Sequence, residues 1–316
     1  MRFTFVILLF CSLGADAQMI IKAHANYRPL AQTVVNLLLD DYPNAAAAYS
    51  LRKLRTAYTG SAIRVRRSND NTEQDIGFTA SGDLDTASLK TFVGANNGFV
   101  TTWYNQSGLT GYNASNATAA NQPSIIASGV IYRINGEPSI YFDGGDNLQI
   151  TGLALFNYLH LAGESFCSFV FQLSAGGQLF SNSRNSNEAG MQFILSTGIT
   201  HNVFGQSQRT PVQNIASAGY LSLNVQYYIS LYTNVTASAA QRSTIEKNNG
   251  NAVNNNTQTD AASTSTNASR NMQIGMAGNG GSWITGYVSE IITWNSGQQS
   301  NKTGIANNIN SYYGIY

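Results

Sequence analysis

From residue 45 onward the chain is a succession of short apolar runs separated by Gly, Asn and Ser. Runs of this kind occur at 62–67, 99–104, 139–142, 166–173, 191–196, 225–233, 271–276 and 286–294. Many short runs divided by turn residues specify an all-β sandwich or barrel and argue against alternating βαβ units. Two helical interruptions are expected. One is 85–92, opened by Asp85 as a cap, and the other is 300–313, where Ile305, Ile309 and Tyr312 share a face. Glu246-Lys247-Asn248-Asn249-Gly250 reads as a hairpin tip, because Asn and Gly accept the positive φ angles of a tight turn. The Asn-, Thr- and Ser-rich stretch 251–271 reads as polar strand and loop, since apolar strands resume directly after it. A hydrophobic content of 43% is ample for a single core.

The N-terminus has a different pattern. Arg2 is followed by an apolar run from Phe3 to Leu13, then by Ala15-Asp16-Ala17 before Gln18. This predicts a secretory signal at 1–17, too short to span a bilayer, so no membrane span is expected in the mature chain. Residues 18–44 form a leader in which Leu30, Val34, Leu37 and Leu38 follow Pro29 at helical spacing. They predict a short amphipathic helix, ended near Pro43, that covers an edge or end of the sandwich at 45–316. Cys11 leaves with the signal and Cys167 remains, so no intrachain disulfide and no cysteine-built metal site can form. The expected location is secreted or cell-surface.

Charge narrows the function classes. Only 10% of residues are charged, and 17 Lys and Arg nearly cancel 16 Asp and Glu, which leaves no electrostatic footprint for nucleic acid. Polarity comes instead from Asn, Ser, Thr and Gln, side chains that suit hydroxyl-rich ligands and equally an ordinary solvent face. His24, His160 and His201 have no metal-ligand spacing, and no cofactor is implied. Asp143 and Asp146 flank two glycines; carboxylates in such a turn bind Ca²⁺ or, more often, cap their own backbone amides. Arg64 and Arg66 alternate along one strand and are expected on one solvated face. Among the aromatics suited to stacking on sugar rings, Trp103, Tyr104 and Trp294 read as core, and Trp283 in its glycine-rich loop reads as exposed.

Two groups of residues carry a family resemblance. Ala45-Ala46-Ala47-Ala48-Tyr49-Ser50-Leu51-Arg52, Ala62-Ile63-Arg64-Val65-Arg66-Arg67-Ser68-Asn69-Asp70, Asp85-Thr86-Ala87 and Trp103-Tyr104-Asn105-Gln106-Ser107-Gly108 resemble the amino-terminal part of the α-L-arabinofuranosidase B catalytic domain. Gly136-Glu137-Pro138-Ser139-Ile140-Tyr141-Phe142-Asp143-Gly144-Gly145-Asp146-Asn147-Leu148 and Gly286-Tyr287-Val288-Ser289-Glu290-Ile291-Ile292 are similar to strand signatures of laminin-G-like domains. Both resemblances imply a concanavalin-like jelly-roll β-sandwich, with a short N-terminal and a C-terminal helix. The first also implies retaining glycosidase chemistry, which needs two carboxyl groups about 5 Å apart.

At the positions matching those carboxyl groups this sequence has amides. Gly190-Met191-Gln192 places Gln192 where the family has its nucleophilic glutamate, and Ile274-Gly275-Met276-Ala277-Gly278-Asn279 places Asn279 at the acid/base aspartate. Asn105 also stands where an aspartate is usual. An amide keeps the shape and hydrogen bonding of an acid but forms no glycosyl ester and cycles no proton. The resemblance therefore implies no catalytic residue, with Gln192 and Asn279 as degenerate positions, and a ligand site of Gln192, Asn279, Trp283 and Asn105. The expected function is a non-catalytic carbohydrate-recognition or adhesion module whose partner is a glycan or cell-surface polysaccharide. Two alternatives stand beside it. One is a bacteriophage head or tail-fibre or surface-assembly protein, located in a virion and joined to a homo-oligomer or assembly partner. The other is an active α-L-arabinofuranosidase, which requires another carboxylate such as Glu188.

Overall fold

The computed structural model describes residues 37–278 and 280–316. The signal and most of the leader lie outside the described residues; within them a short helix, α1 (Leu38–Asp41), stands before Pro43. The remainder is an antiparallel β-sandwich of two layers. The front layer runs in the order β3 (Glu73–Ile76), β2 (Ile63–Arg67), β4 (Gly98–Trp103), β5 (Ala114–Ser115), β11 (Leu148–Ile150), β20 (Met272–Ile274), β13 (Gly177–Ser181), β14 (Ala189–Leu195), β15 (Ile199–Gly205), β16 (Val212–Ala216). The back layer runs β7 (Val130–Ile131), β6 (Ser124–Ala127), β10 (Ile140–Asp143), β21 (Thr285–Trp294), β12 (Glu164–Ala175), β17 (Gln226–Asn234), β18 (Ser243–Lys247), β19 (Ala252–Val253). Beyond β10, the far half of β21 is taken up by β1 (Ala45–Ser50). A separate ribbon joins β8 (Arg133–Ile134) to β9 (Glu137–Pro138), and β4 pairs with β6 to link the two layers.

Alternation along the strands fills the space between layers. Val65, Trp103, Phe180 and Phe193 point in from the front, and Tyr49, Phe142, Phe169 and Ile291 from the back. Phe169 stacks on Phe193 with ring centroids 4.4 Å apart, and Trp103 lies 5.8 Å from Tyr49. Cys167 belongs to this core, and burial pushes its thiol pKa well up. Trp103 and Trp294 are wholly buried, as expected.

The outer face of the back layer is covered. Helix α3 (Lys302–Tyr313) lays Ile305, Ile309 and Tyr313 on Ala48, Phe166, Tyr228 and Trp294. Under it is a buried ion pair: Arg52 Nε donates to Glu290 Oε2 at 2.8 Å and Nη2 to Oε1 at 3.1 Å, while Ser50 Oγ adds a third bond at 2.7 Å. Arg52 also reaches Asn308 of α3 at 2.9 Å, so Glu290 organises the seat of the helix. Helix α2 (Thr86–Val93) starts as expected, with Ser88 N–H donating to the Asp85 carboxylate at 2.9 Å. The hairpin tip also forms, Asn248 and Asn249 both taking positive φ between β18 and β19.

One expectation about arginines is corrected. Arg64 is exposed, but Arg66 is buried over the Phe99 ring and donates to Gln122, Asn71 and the Ala119 carbonyl. The 116–122 segment, which supplies Gln122 and Ala119, is what removes Arg66 from solvent; alternation on one strand carries no sign of it.

Candidate functional site

Directly opposed residues in antiparallel strands project to the same side. Followed through the registers of the front layer, one row of such residues crosses every strand: Asp75, Arg64, Thr102, Ser115, Gln149, Gln273, Ser181, Gln192, Asn202 and Gln213. Every member is polar, and the row spans about 40 Å at the usual strand spacing. Arg64, Gln149, Gln273 and Gln192 each sit between two apolar neighbours that point into the core. Leu148-Gln149-Ile150 on β11 pairs residue for residue with Met272-Gln273-Ile274 on β20.

The row is exposed at the Arg64 end and half-buried at Gln213, and it sinks in the middle, where Gln273, Ser181, Gln192 and Asn202 are buried. Buried amides need partners, and two relays supply them. On one side Asn116 donates to Asn147, Asn147 to Gln273 and Gln273 to Gln149, each at 2.9 Å, and Gln149 donates to Thr151 at 3.2 Å. On the other, Gln213 donates to Asn202 at 3.3 Å, Asn202 to Gln192 at 3.4 Å, and Gln192 to the Ser183 carbonyl at 3.2 Å. Beside the first relay an open groove of about 380 Å³ is lined by Ser115, Asn116, Asn121, Asn147, Gln149 and Thr151.

Gln192 thus occupies the deep centre, and Gln178, opposed to Ile194 on the same face, lies beside it. The Gln178 carbonyl oxygen is buried without a protein donor. A register shift between Gln178 and Phe180 lets both Gln178 and Ser181 face outward while Leu179 and Phe180 remain in the core. The 275–284 loop is strapped to this strand: Gln178 N–H donates to the Ser282 carbonyl at 2.7 Å, and a Cβ on Gly177 would lie 2.3 Å from the Trp283 carbonyl. Trp283 is half-buried beside the start of β13. Asn279 lies outside the described residues. Its neighbour Gly278 rests against Ser183, the residue to which Gln192 bonds, and against the Arg270 side chain.

The other expected site residues are elsewhere. Asn105 has spent its amide: its oxygen accepts from Ala48 and Ser107 N–H, and its nitrogen donates to Ser107 Oγ and the Leu109 carbonyl, none of them in the row. Asp143 and Asp146 cap their own turn, Asp143 N–H donating to Asp146 at 3.0 Å and Gly145 N–H to Asp143 at 2.8 Å. Burial pushes the Asp146 carboxyl up to about 7. Among the described residues no three His, Cys, Asp or Glu cluster as metal ligands. His160 and His201 are both buried, bonded to the Ser265 carbonyl and to Ser243; burial lowers both, His201 to about 3. Glu188 forms a 2.6 Å ion pair with Arg270 and accepts from Arg184 N–H. Its carboxyl is held below the ordinary value: desolvation pushes it up, but the bonds from Arg270 and Arg184 outweigh that. It is an ionised partner of an arginine at the rim.

Sequence reading singled out Gln192 but missed Gln149, Gln273, Asn202, Gln213 and Gln178. For Gln149 and Gln273 the signal was a lone amide between two apolar residues.

Comparison with known proteins returns the same architecture. Residues 40–131 match the family model described as α-L-arabinofuranosidase B, catalytic; the match ends before Gln192 and the 275–284 loop. The chain is similar in structure to an arabinofuranosidase complexed with arabinofuranosyl-α-1,2-xylobiose, with a TM-score of 0.58 and 17% identity over 86% of this chain and 63% of the other. It is likewise similar to an α-L-arabinofuranosidase soaked with a cyclic sulfate inhibitor, at a TM-score of 0.57 and 15% identity over the same shares. At these identities the likeness is one of fold, and the chain spans less than two thirds of either structure's length. A comparison with curated proteins returned no match.

Proposed function

We propose that the chain is a carbohydrate-recognition module that binds a glycan on the open face of the front sheet without cleaving it. The observation that carries this reading is the unbroken polar row with Gln192 in its buried stretch. Amides offer a sugar hydroxyl both a donor and an acceptor, and the half-buried Trp283 beside β13 adds an aromatic edge. Asn105, with every hydrogen bond already made, is left out of the site.

The same centre argues against turnover. Retention requires a carboxylate nucleophile that forms an ester, and Gln192 has an amide nitrogen there. Glu188, the alternative carboxylate, has both oxygens engaged, Oε1 by Arg270 and Oε2 by the Arg184 N–H, which blunts it as a nucleophile. One arabinofuranosidase of similar fold is complexed with arabinofuranosyl-α-1,2-xylobiose, which supports a glycan as the partner class. The signal-like N-terminus supports secretion or surface display, and among the described residues no helix is long and apolar enough to cross a membrane.

The test is a glycan array read together with an aryl arabinofuranoside assay. Binding to a restricted set of glycans, weakened at least tenfold by Gln192→Ala and with no arabinose released, is the expected result. A flat array overturns the reading, and release of arabinose by the unmodified chain replaces it with that of an active hydrolase.

A further inference from the structure

We infer that the glycan is an uncharged linear chain held along the polar row, by several consecutive sugars, rather than a single terminal sugar held at Gln192. This rests on the carbohydrate-recognition reading above and specifies its ligand.

The first observation is the direction of the row. It runs perpendicular to the strands, so its polar groups recur at the strand spacing of about 4.8 Å, close to the length of one sugar ring. A pocket for one terminal sugar would need polar groups only around Gln192; here they continue across β11, β5 and β4 on one side and β15 and β16 on the other. The second is the groove. Its lining includes two members of the row, Ser115 and Gln149, and their face-mates Asn147 and Thr151, so it is a lateral extension of the centre and open to solvent. Its capacity of about 380 Å³ is room for a sugar beyond the one at the centre. The third is charge. From Thr102 to Gln213 no member of the row is ionisable, and the charged pair at its end is internally matched, Arg64 Nε lying 3.0 Å from Asp75. Between Thr102 and Gln213 a uronate or sialate would bring a carboxylate to amides and hydroxyls, with no cation of the row there to offset its desolvation. A neutral chain incurs no such cost.

The experiment titrates the intact mature chain with size-graded oligosaccharides of one to six units from xylose, arabinose, glucose and galactose series, and with a glucuronate-bearing xylo-oligosaccharide. At least one neutral series is expected to gain tenfold or more in affinity between one and four units, and the glucuronate to give no gain over its neutral parent. Ser115→Arg, at an exposed groove position, is expected to abolish the gain with length. Gln149→Ala is expected to do the same more weakly, and an unchanged melting temperature confirms that each variant is folded. Binding that does not grow with length, growth that survives Ser115→Arg, or preference for the acidic sugar overturns this inference but leaves carbohydrate recognition standing. Failure of every series to bind, on the array as well, overturns both.

Discussion

The two outer faces of the sandwich are built from the same kind of strand and end up with opposite characters. On the back layer the outward positions of β1, β12, β17 and β21 include Ala48, Phe166, Tyr228 and Trp294, and helix α3 buries them. On the front layer the outward row from Thr102 to Gln213 is made of amides and hydroxyls, bonded in part to one another and left in part uncovered. A face closed by a helix contributes stability through apolar area and a desolvated ion pair; a face filled with hydrogen-bonding groups contributes little net stability but remains able to exchange partners. The fold thereby divides its labour, anchoring on one side and presenting a surface on the other.

Substitutions break the comparison most severely at the back. Glu290→Ala leaves Arg52 buried and unpaired beneath α3, an expected loss of about 3–5 kcal/mol in urea unfolding. A loss under about 1 kcal/mol would deny the back face its anchoring role. At the front, Gln192→Ala strands the Asn202 amide N–H, and about 1–3 kcal/mol should disappear in the same assay, together with glycan affinity. Affinity lost while stability holds would sharpen the contrast, since the amide would then serve the ligand alone.

A smaller effect separates the groups that titrate. Burial raises Asp146 from its ordinary 3.8 to about 7, so between those values the folded chain holds a proton that the unfolded chain has released. Its contribution to stability is present below pH 3.8 and is lost as pH climbs through 7; Asp146→Asn should flatten that decline in melting temperature. His201 acts in the opposite sense. Lowered from 6.5 to about 3, it destabilises the fold as pH falls across that interval, and the acid-side loss should persist in the Asp146→Asn variant. The smallest effect belongs to the exposed rim, where Ser115→Ala should change stability by less than about 0.5 kcal/mol by thermal melting.

Particular residues show what a single sequence made legible. Most strand runs, the Asp85 cap, the Asn248 turn and the burial of Trp103 and Trp294 follow from local alternation and turn chemistry. Strands β13, β15 and β16 were overlooked because polar centres such as Asn202 and Gln213 interrupt their apolar pattern, and those centres are the row itself. Gln192 emerged through resemblance. Gln149 and Gln273 were invisible as a pair because β11 and β20 are far apart in the chain, and register between distant strands is set by the whole sheet. Arg66 was misjudged because its cover comes from a segment some fifty residues further along.

Cys167, in the middle of β12 between the two layers, has a practical consequence. In a chain that begins after the leader it is the sole thiol, and a thiol whose ionisation is suppressed by burial does not react with alkylating reagents. Labelling can proceed only when the two layers part. The rate of modification at rising reagent concentration therefore counts the global opening events of the sandwich directly, a kinetic clock already present in the native sequence and needing no engineered probe.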